Sequence, residues 1–363
     1  MPRARARHWF DRDDGGRDLQ VMRPPRITPV LLLLLGACRA AGPPAVVQVL
    51  PDVAPPPAVE SPVAAAGRAA GTYTAMRNVR FRLDPILALD IVRLTGLMRP
   101  VRPGHPIYFD DPHSLTLAVA DADVGIDTMS LARLMNRYVF GFAKAPLTDV
   151  HFAPRDSLLE VRGMLHAGVT VPFTILATVG VTDSGFIRLH PVDVNLGAMD
   201  VDWFMRTLGI HLEQLVETKH AAGLRMEGND MVIDPTAALP PPRISGPLTS
   251  VRVTRTGLML RFHDAALLAR LTPAPRLPVE APNYMFFRGG VLHFGKLFMP
   301  DADMEIVDSV PGDWFDFFLA QYQRQLVAGH SETLRDYGLR VVMVDYSSLV
   351  RRAEAPRKGP ARR

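Results

Sequence analysis

The period of the hydrophobic pattern is the feature of this 363-residue sequence that most restricts its fold. Between residues 115 and 262, apolar and polar residues alternate in short runs, a pattern typical of antiparallel strands with one apolar face. Turn residues separate the runs, and Thr182-Asp-Ser-Gly185 predicts a hairpin. The apolar positions of the runs are Leu115, Leu117, Val119, Leu159, Val161, Val171, Phe173, Ile175, Ala177, Val192, Val194, Leu196, Val251, Val253, Leu258, Leu260 and Phe262.

A helical period appears in only three places. The first follows Thr128, a predicted N-cap, and its apolar stripe consists of Leu131, Leu134, Met135, Tyr138 and Phe142. The second is a pair of short helices in residues 203–216, and the third runs over residues 313–328. Few helices among many strands predict the α+β class, with a long curved, mainly antiparallel β-sheet wrapped on a few helices and an aromatic-rich C-terminal β/α segment.

The N-terminal residues carry the pattern of a secretory signal. Basic residues at positions 23 and 26 precede an apolar stretch, residues 27–35, that is too short to span a bilayer. Leu35-Gly-Ala-Cys38 then resembles the bacterial lipobox, in which the cysteine is lipidated and becomes the first mature residue. Residues 1–37 are therefore predicted to be a signal peptide, with Met22 as a candidate start, and Cys38 to be the lipid attachment site. An uncleaved anchor or a buried cysteine is the alternative.

Export would place the protein on the periplasmic side of a membrane, held there by an acyl group such as palmitate on Cys38. Arg39 stands where an inner-membrane retention signal has Asp, so the outer membrane is expected if the source is Gram-negative. Because Cys38 is the only cysteine, internal disulfides, thiolate metal sites and cysteine nucleophiles are excluded.

The composition changes along the chain and predicts its divisions. Residues 38–72 form a tether rich in Pro and Ala, residues 73–263 a β-rich lipid-binding body, and residues 264–282 a Pro-rich linker. Residues 283–350 are rich in aromatic side chains and form either a small domain or, as we favour, a segment whose aromatic face closes the first sheet. Residues 351–363 form a basic, disordered tail.

Charge excludes one class of partner. The formal net charge is +4, yet residues 1–42 hold eight arginines against four aspartates, and residues 351–363 hold six basic residues against Glu354. The body between these ends is therefore net negative and lacks the positive field that attracts a phosphate backbone. We predict that the folded body does not bind nucleic acid.

The sequence lacks the spacings typical of catalytic and cofactor motifs, including the serine elbow, the zinc-protease helix, the phosphate loop and the dinucleotide fingerprint. We therefore expect no catalytic residue, no metal site and no cofactor, in a protein that is not an enzyme. Three Asp-x-Asp pairs are interpreted as turn or cap residues rather than metal ligands. They are Asp121 with Asp123, Asp200 with Asp202, and Asp301 with Asp303.

The order of elements in the middle of the chain resembles the LmeA-like phospholipid-binding proteins, exported bacterial relatives of the tubular lipid-binding group. A strand pair is followed by Ser130-Leu-Ala-Arg-Leu-Met-Asn-Arg-Tyr138, Leu159-Glu-Val-Arg-Gly163, Val171-Pro-Phe173, Ile187-Arg-Leu-His-Pro-Val192 and Leu224-Arg-Met-Glu-Gly-Asn-Asp-Met-Val-Ile-Asp-Pro235. This similarity of pattern covers about residues 76–263 and implies long curved sheets wrapped on a helix, with an apolar interior for lipid. Residues 283–350 depart from that family and look more like a feature of other bacterial lipoproteins.

The predicted function is to bind a lipid or another hydrophobic small molecule in an apolar groove of the curved sheet, since the helices are too few to cover every strand. Alternatively, the apolar faces fill one another, and the protein is a structural or assembly lipoprotein of the cell envelope that acts through protein partners without a ligand. The predicted groove residues are Leu131, Leu134, Met135, Tyr138, Leu159, Val161, Val171, Phe173 and Ile175.

Overall fold

The computed structural model describes residues 71–167, 169–197, 221–272, 281–334 and 338–354, all within a single compact unit. Several predictions lie outside these residues. They concern the signal peptide, Cys38, almost all of the tether, the helices in residues 203–216, Asp200 and Asp202, residues 273–280 of the linker and residues 355–363 of the tail.

The described chain is built mainly of strands with five short α-helices, which confirms the predicted α+β class. The strands are β1 (Thr72–Arg82), β2 (Ala88–Pro100), β3 (Ile107–Tyr108), β4 (Leu115–Asp127), β5 (Leu147–Arg155), β6 (Leu158–Ala167), β7 (Val169–Val181), β8 (Ile187–Asn195), β9 (Leu224–Glu227), β10 (Asp230–Ile233), β11 (Arg243–Ser245), β12 (Leu248–Val253), β13 (Gly257–His263), β14 (Tyr284–Arg288), β15 (Leu292–Phe294), β16 (Leu297–Met299), β17 (Asp303–Asp308), β18 (Phe315–Phe318), β19 (His330–Thr333) and β20 (Leu339–Met343). The helices are α1 (Thr128–Arg133), α2 (Pro235–Ala238), α3 (Ala265–Arg270), α4 (Tyr322–Ala328) and α5 (Tyr346–Glu354).

Three sheets organise these strands. The large sheet has the order β12-β13-β4-β2-β1-β14-β17-β20-β19, with β11 added to β4 and β18 added to β1. A six-stranded sheet has the order β5-β6-β7-β8-β10-β9, and a small sheet consists of β16-β15-β3. The register between β2 and β4 shifts twice, and such bulges bend a sheet, which gives the large sheet its curvature. The large and six-stranded sheets share one apolar core.

Strand β1 pairs with two strands of the aromatic-rich segment. Its first part, from Tyr73 to Arg77, pairs antiparallel with β14, and its last part, from Val79 to Arg82, pairs parallel with β18. Between them Asn78 has a positive φ of 51°, and its side-chain amide donates a hydrogen bond to the Pro282 carbonyl over 3.0 Å. The aromatic-rich segment therefore continues the sheet of the body.

The predicted helix over residues 313–328 is wrong in its first half. Phe315–Phe318 form β18, a short 3-10 turn follows, and only Tyr322–Ala328 are helical. All four residues of β18 are buried, so both faces of this strand are covered. Asp316 is buried as well, where it accepts a hydrogen bond from Arg82. A strand that is covered on both faces lacks the alternation of buried and exposed residues that would distinguish it from a helix.

Other predicted boundaries move by a few residues. Helix α1 begins as expected, but its N-cap is Asp127, whose carboxylate accepts from the Ser130 amide at 2.7 Å, instead of Thr128. The predicted hairpin at residues 182–185 is confirmed as the turn between β7 and β8, with Gly185 at a φ of +76°. The end of the last folded segment, expected at Val350, falls inside α5, which continues to Glu354.

Candidate functional site

The principal feature of the interior is an apolar cavity of about 130 Å³ between the large sheet and the six-stranded sheet. From the large sheet, the inward side chains of β1, β2, β4 and β13 line it, and β5, β6, β8 and β10 close it from the opposite side. Thr236 is the one polar residue among the described lining residues, and none of them is ionisable. The cavity therefore offers a ligand an almost purely apolar environment.

Strand β4 follows the cavity along its length. Six of its inward side chains line the cavity, beginning at Leu115 and ending at Ile126. Eleven residue steps at the usual rise of a strand correspond to a path of about 36 Å. The lining of the cavity therefore extends along nearly the whole of β4.

Helix α1 and the π-helical turn after it, Leu134–Val139, join the two sheets at the side of the cavity. The hydroxyl of buried Ser130 accepts from the Ala88 amide at 3.1 Å and so attaches the helix to β2. Asn136 attaches the turn to β5, because its amide group both donates to and accepts from the backbone of Val150, at 2.7 and 2.8 Å. These bonds direct Leu131, Leu134 and Met135 into the cavity.

Nine of the lining residues are partly exposed to solvent. Four of them lie near the Leu115 end of the cavity: Leu239, Pro240 and Pro242 follow α2, and Ile244 lies in β11 beside the start of β4. The others are Leu83, Pro112, Phe152, Thr236 and Leu319. The approach from solvent to this end of the cavity is therefore lined by prolines and leucines.

A second cavity of about 50 Å³ lies against the six-stranded sheet. Met135 lines both cavities, so the side chain of this residue stands between them. The second cavity is bounded mostly by β6, β7 and β8, with Phe140 and Leu147 at one side.

The predicted groove residues are divided between these cavities. Leu131, Leu134, Met135 and Leu159 line the principal cavity, whereas Val161, Phe173 and Ile175 line the second one. Val171 packs against the core without lining either cavity. Tyr138 points elsewhere, since its hydroxyl donates to the Asp84 carboxylate at 2.9 Å in a surface cleft beside Arg133 and Arg137.

The sequence analysis did not predict most of the residues that line the principal cavity, although their alternating pattern was recognised. The alternating residues Leu115, Leu117 and Val119 were recognised as a strand, and so were Leu258, Leu260 and Phe262 of β13. Alternation shows which residues share a face, but it does not show which faces enclose unfilled space. Recognition required the pairing of β13 with β4, which brings these two sets side by side.

Charged residues lie outside the cavity. Among them, Asp121 and Asp123 were predicted to be turn or cap residues, and the structure shows that this prediction is wrong. Both lie in the middle of β4 instead of in a turn or a cap. Asp121 accepts from Arg93 and, at 2.6 Å, from Arg261, while Asp123 accepts from Arg93 at 2.7 Å. Their spacing of two places both carboxylates on the outward face of the sheet, where they form cross-strand ion pairs.

Three other carboxylates come close together near the C-terminus. Oxygen atoms of Asp308, Asp313 and Asp345 lie within 4.8 Å of one another. Burial, together with the neighbouring negative charges of Asp308, Asp313 and Asp316, raises the pKa of Asp345 to about 6, although the bond from the Asp316 amide acts in the opposite direction. Oxygen ligands at such spacing can hold a hard cation, but the carboxylates of Asp308 and Asp345 already accept hydrogen bonds from Asn283, Val310 and Asp316.

Comparisons with known proteins do not assign the chain to a family. No family model matches the chain, and neither a curated protein nor a solved structure does. The resemblance to LmeA-like proteins therefore stays a prediction. None of the helices in the described residues has the length and apolar content that a membrane-spanning helix requires.

Proposed function

We propose that this protein binds the hydrocarbon chain of a lipid in the principal cavity. The observation that carries the proposal is the continuous apolar lining along β4 from Leu115 to Ile126, which faces Leu159 and Leu189 of the six-stranded sheet. A filled core would place side chains in this space, because protein interiors are normally packed as densely as organic crystals.

The chemistry of the lining selects the ligand class. A sugar, nucleotide or peptide would leave its polar groups without partners in this cavity, at a cost of several kcal/mol for each group. A saturated or unsaturated acyl chain carries no such groups, and it gains free energy from each methylene that leaves water. Thr236 is partly exposed, and its hydroxyl is the polar group of the lining that could bond to a ligand head group.

Binding, and not catalysis, is the activity proposed, with no cofactor. A cavity without an ionisable lining residue supplies no general acid, general base or nucleophile to a bound molecule.

The proposal includes membrane anchoring through Cys38 after export, which rests on the lipobox-like residues Leu35 to Cys38. Cys38→Ser should release the protein from the membrane fraction or block its processing. Unchanged size together with unchanged membrane association of this variant would contradict the lipoprotein assignment. The fraction of protein that sediments with membranes, and its mass, are the two measurements.

A matched pair of substitutions tests the ligand. Ala122 on β4 and Ala177 on β7 are both fully buried, and they line the principal and the second cavity respectively. Ala122→Leu should fill the principal cavity, abolish uptake of a fluorescent fatty acid and change stability little. Ala177→Leu should retain uptake and lose about 1–3 kcal/mol of stability, because the smaller space is overpacked.

Native mass spectrometry of freshly purified protein, compared with lipid-depleted protein, identifies any lipid that copurifies. If both alanine variants lost stability equally and no preparation took up fatty acid, the interior would be an ordinary core. The structural lipoprotein without a ligand would then be the better description.

A further inference from the structure

A group of exposed apolar side chains lies on the small sheet and on the loop that precedes it. We name this group the aromatic tip, and it consists of exposed Val101, Tyr108, Leu297 and Phe298 together with the half-buried ring of His293. Val101 and Phe298 are each 53% exposed, and Tyr108 is 43% exposed. The ring of His293 is stacked against Tyr108 and tilted against Phe298, with centroid distances of 4.7 Å on both sides.

The backbone holds the tip in a fixed shape. The amides of Ile107 and Phe109 donate to the carbonyls of Val291 and His293, both at 2.9 Å. The hydroxyl of Ser114 accepts from the Tyr108 amide at 3.0 Å, and its carbonyl accepts from the Val101 amide at 2.8 Å. The side chains of the tip are therefore presented without an ordering cost at the moment of contact.

The small sheet has two apolar faces, and only one of them faces the core. Ile107, Leu292, Phe294 and Met299 are buried on the inner side. Tyr108, His293 and Phe298 alternate with them and point outward. An ordinary surface sheet would carry polar residues at these outward positions, so the second apolar face indicates a partner.

The size of the tip distinguishes between classes of partner. The exposed fractions of its side chains leave on the order of 350 Å² of apolar surface, whereas a stable protein interface buries about 800 Å² on each partner. A bilayer has no such minimum, because each ring that enters it gains free energy by itself, and aromatic side chains favour the level of the head groups.

The charges around the tip specify the kind of bilayer. Arg102 and Lys296 are exposed beside it, and so are Asp110, Asp111 and Asp301. The two cations do not outnumber the three carboxylates, so attraction to an anionic surface is not the main source of affinity. A zwitterionic phospholipid surface fits a tip without an excess of basic side chains around it.

The tip is also continuous with the principal cavity. Phe109 follows Tyr108 directly in the chain and lines the cavity together with Pro112 and Leu115. Pro112, one of the partly exposed lining residues, lies at this same end. A lipid that enters or leaves the cavity here would pass beside the tip.

We propose that the aromatic tip docks on a zwitterionic phospholipid bilayer and brings the Leu115 end of the cavity to the membrane surface. The use of this contact for lipid exchange rests on the proposed function, whereas the contact itself does not.

The experiment uses the full chain with Cys38→Ser, so that no attached acyl group contributes, and vesicles of phosphatidylcholine. Tyr108→Ser combined with Phe298→Ser should lower partition onto the vesicles at least tenfold, because two exposed rings are lost. Val327→Ser is the matched control, since Val327 is an apolar side chain that is 84% exposed and belongs to α4 instead of the small sheet or its loop. The control should partition like the parent chain.

A gain-of-signal variant keeps the test independent of folding losses. The emission of Phe298→Trp should shift to shorter wavelength on vesicles and be quenched by brominated phosphatidylcholine, while Val327→Trp should show neither effect. Equal partition of the tip and control variants, or binding of the parent chain only to vesicles with anionic lipid, would overturn the docking proposal.

Uptake of a monomeric fluorescent fatty acid without vesicles separates the two proposals. The tip variant should take up fatty acid as the parent chain does, and it should extract lipid from vesicles more slowly. If no variant took up fatty acid while the tip variant still lost vesicle partition, the docking proposal would stand and the proposed function would fail.

Discussion

The large sheet has an aliphatic half and an aromatic half that share strand β1. In the aliphatic half, the inward face of β2, β4 and β13 carries mainly Leu, Ile, Val and Ala, with Met98 and Phe262, and the principal cavity lies over it. In the aromatic half, Phe287 of β14 and Phe317 of β18 are fully buried and lie against Phe109, whose ring also contacts Phe294 and Tyr322. One continuous sheet therefore supports an unfilled interior at one side and a filled one at the other.

The centre of the aromatic half is Phe109, whose ring contacts four others. Its ring centroid lies 5.5 Å from Phe287, 5.2 Å from Phe294, 6.0 Å from Phe317 and 5.7 Å from Tyr322. Three of these pairs are edge-to-face, which is a favourable arrangement of aromatic quadrupoles. Large rigid rings fill the volume between elements, whereas branched aliphatic chains in the other half leave a narrow space between opposing faces.

The largest expected difference between the halves is in the cost of truncation. Phe317→Ala should lower the free energy of unfolding by about 4 kcal/mol, since it removes a fully buried ring that touches four others. Leu260→Ala should cost about 2 kcal/mol, because Leu260 already borders the cavity and has fewer packing partners to lose. Denaturant midpoints measure both values, and equal losses would show that the halves are packed alike.

The next largest effect is a pH dependence in the aromatic half. The pKa of Asp345 is raised to about 6, so the folded state binds a proton more tightly than the unfolded state does. The resulting stability is complete below about pH 4 and is lost as the pH rises to 6. Asp345→Asn should remove this dependence and stabilise the protein at pH 7 by up to about 3 kcal/mol.

The amide oxygen that this substitution introduces can still accept the bond that the Asp316 amide donates to Asp345 at 2.7 Å, so the substitution isolates the charge. Thermal unfolding of both proteins from pH 4 to pH 7 is the measurement. A variant that melted below the parent at pH 7 would contradict the interpretation.

In the aliphatic half, Asp84 should give a pH dependence of stability with the opposite sign. Burial alone would raise its pKa, but bonds from the Leu87 and Ile86 amides, Arg133 and Tyr138 lower it to about 2. Its stabilising contribution is therefore present above about pH 4 and is lost as the pH falls towards 2. Asp84→Asn should destabilise the protein at pH 7 by about 2 kcal/mol and flatten the acid limb. Acid titration of the circular dichroism signal checks this, and an unchanged acid limb would count against it.

The smallest expected difference concerns two tyrosine hydroxyls. Tyr322 in the aromatic half donates to Asp110, and Tyr138 in the aliphatic half donates to Asp84. Tyr322→Phe should cost about 1 kcal/mol because Tyr322 is only 2% exposed, while Tyr138→Phe should cost less, because Asp84 keeps three other donors. Chemical denaturation of the two variants measures both losses of unfolding free energy. A larger loss for Tyr138→Phe would contradict the expected order.

Local pattern was enough to predict the class of this fold. Alternating residues such as Val171, Phe173 and Ile175 are strand residues in the structure, and the turn before Phe186 forms as expected. These features depend on neighbours in sequence, which is why they could be predicted without the tertiary structure.

Features that depend on distant residues could not be predicted in this way. The strand conformation of Phe315–Phe318 follows from its pairing with β1, more than 200 residues earlier in the sequence. Asp121 lies in a strand because Arg93 and Arg261 neutralise it across two ladders. The principal cavity is likewise a property of facing sheets and not of any one segment.

The shared edge of β1 also sets the order in which the chain can fold. Phe81 is opposite Phe317, and the bond from Arg82 to Asp316 closes a sequence separation of 234 residues. During synthesis, this edge of β1 remains without its native partners until the ribosome has passed residue 318. Contacts of such long range form slowly, and an open strand edge readily pairs with other chains. The growing polypeptide therefore carries an open strand edge for most of its translation.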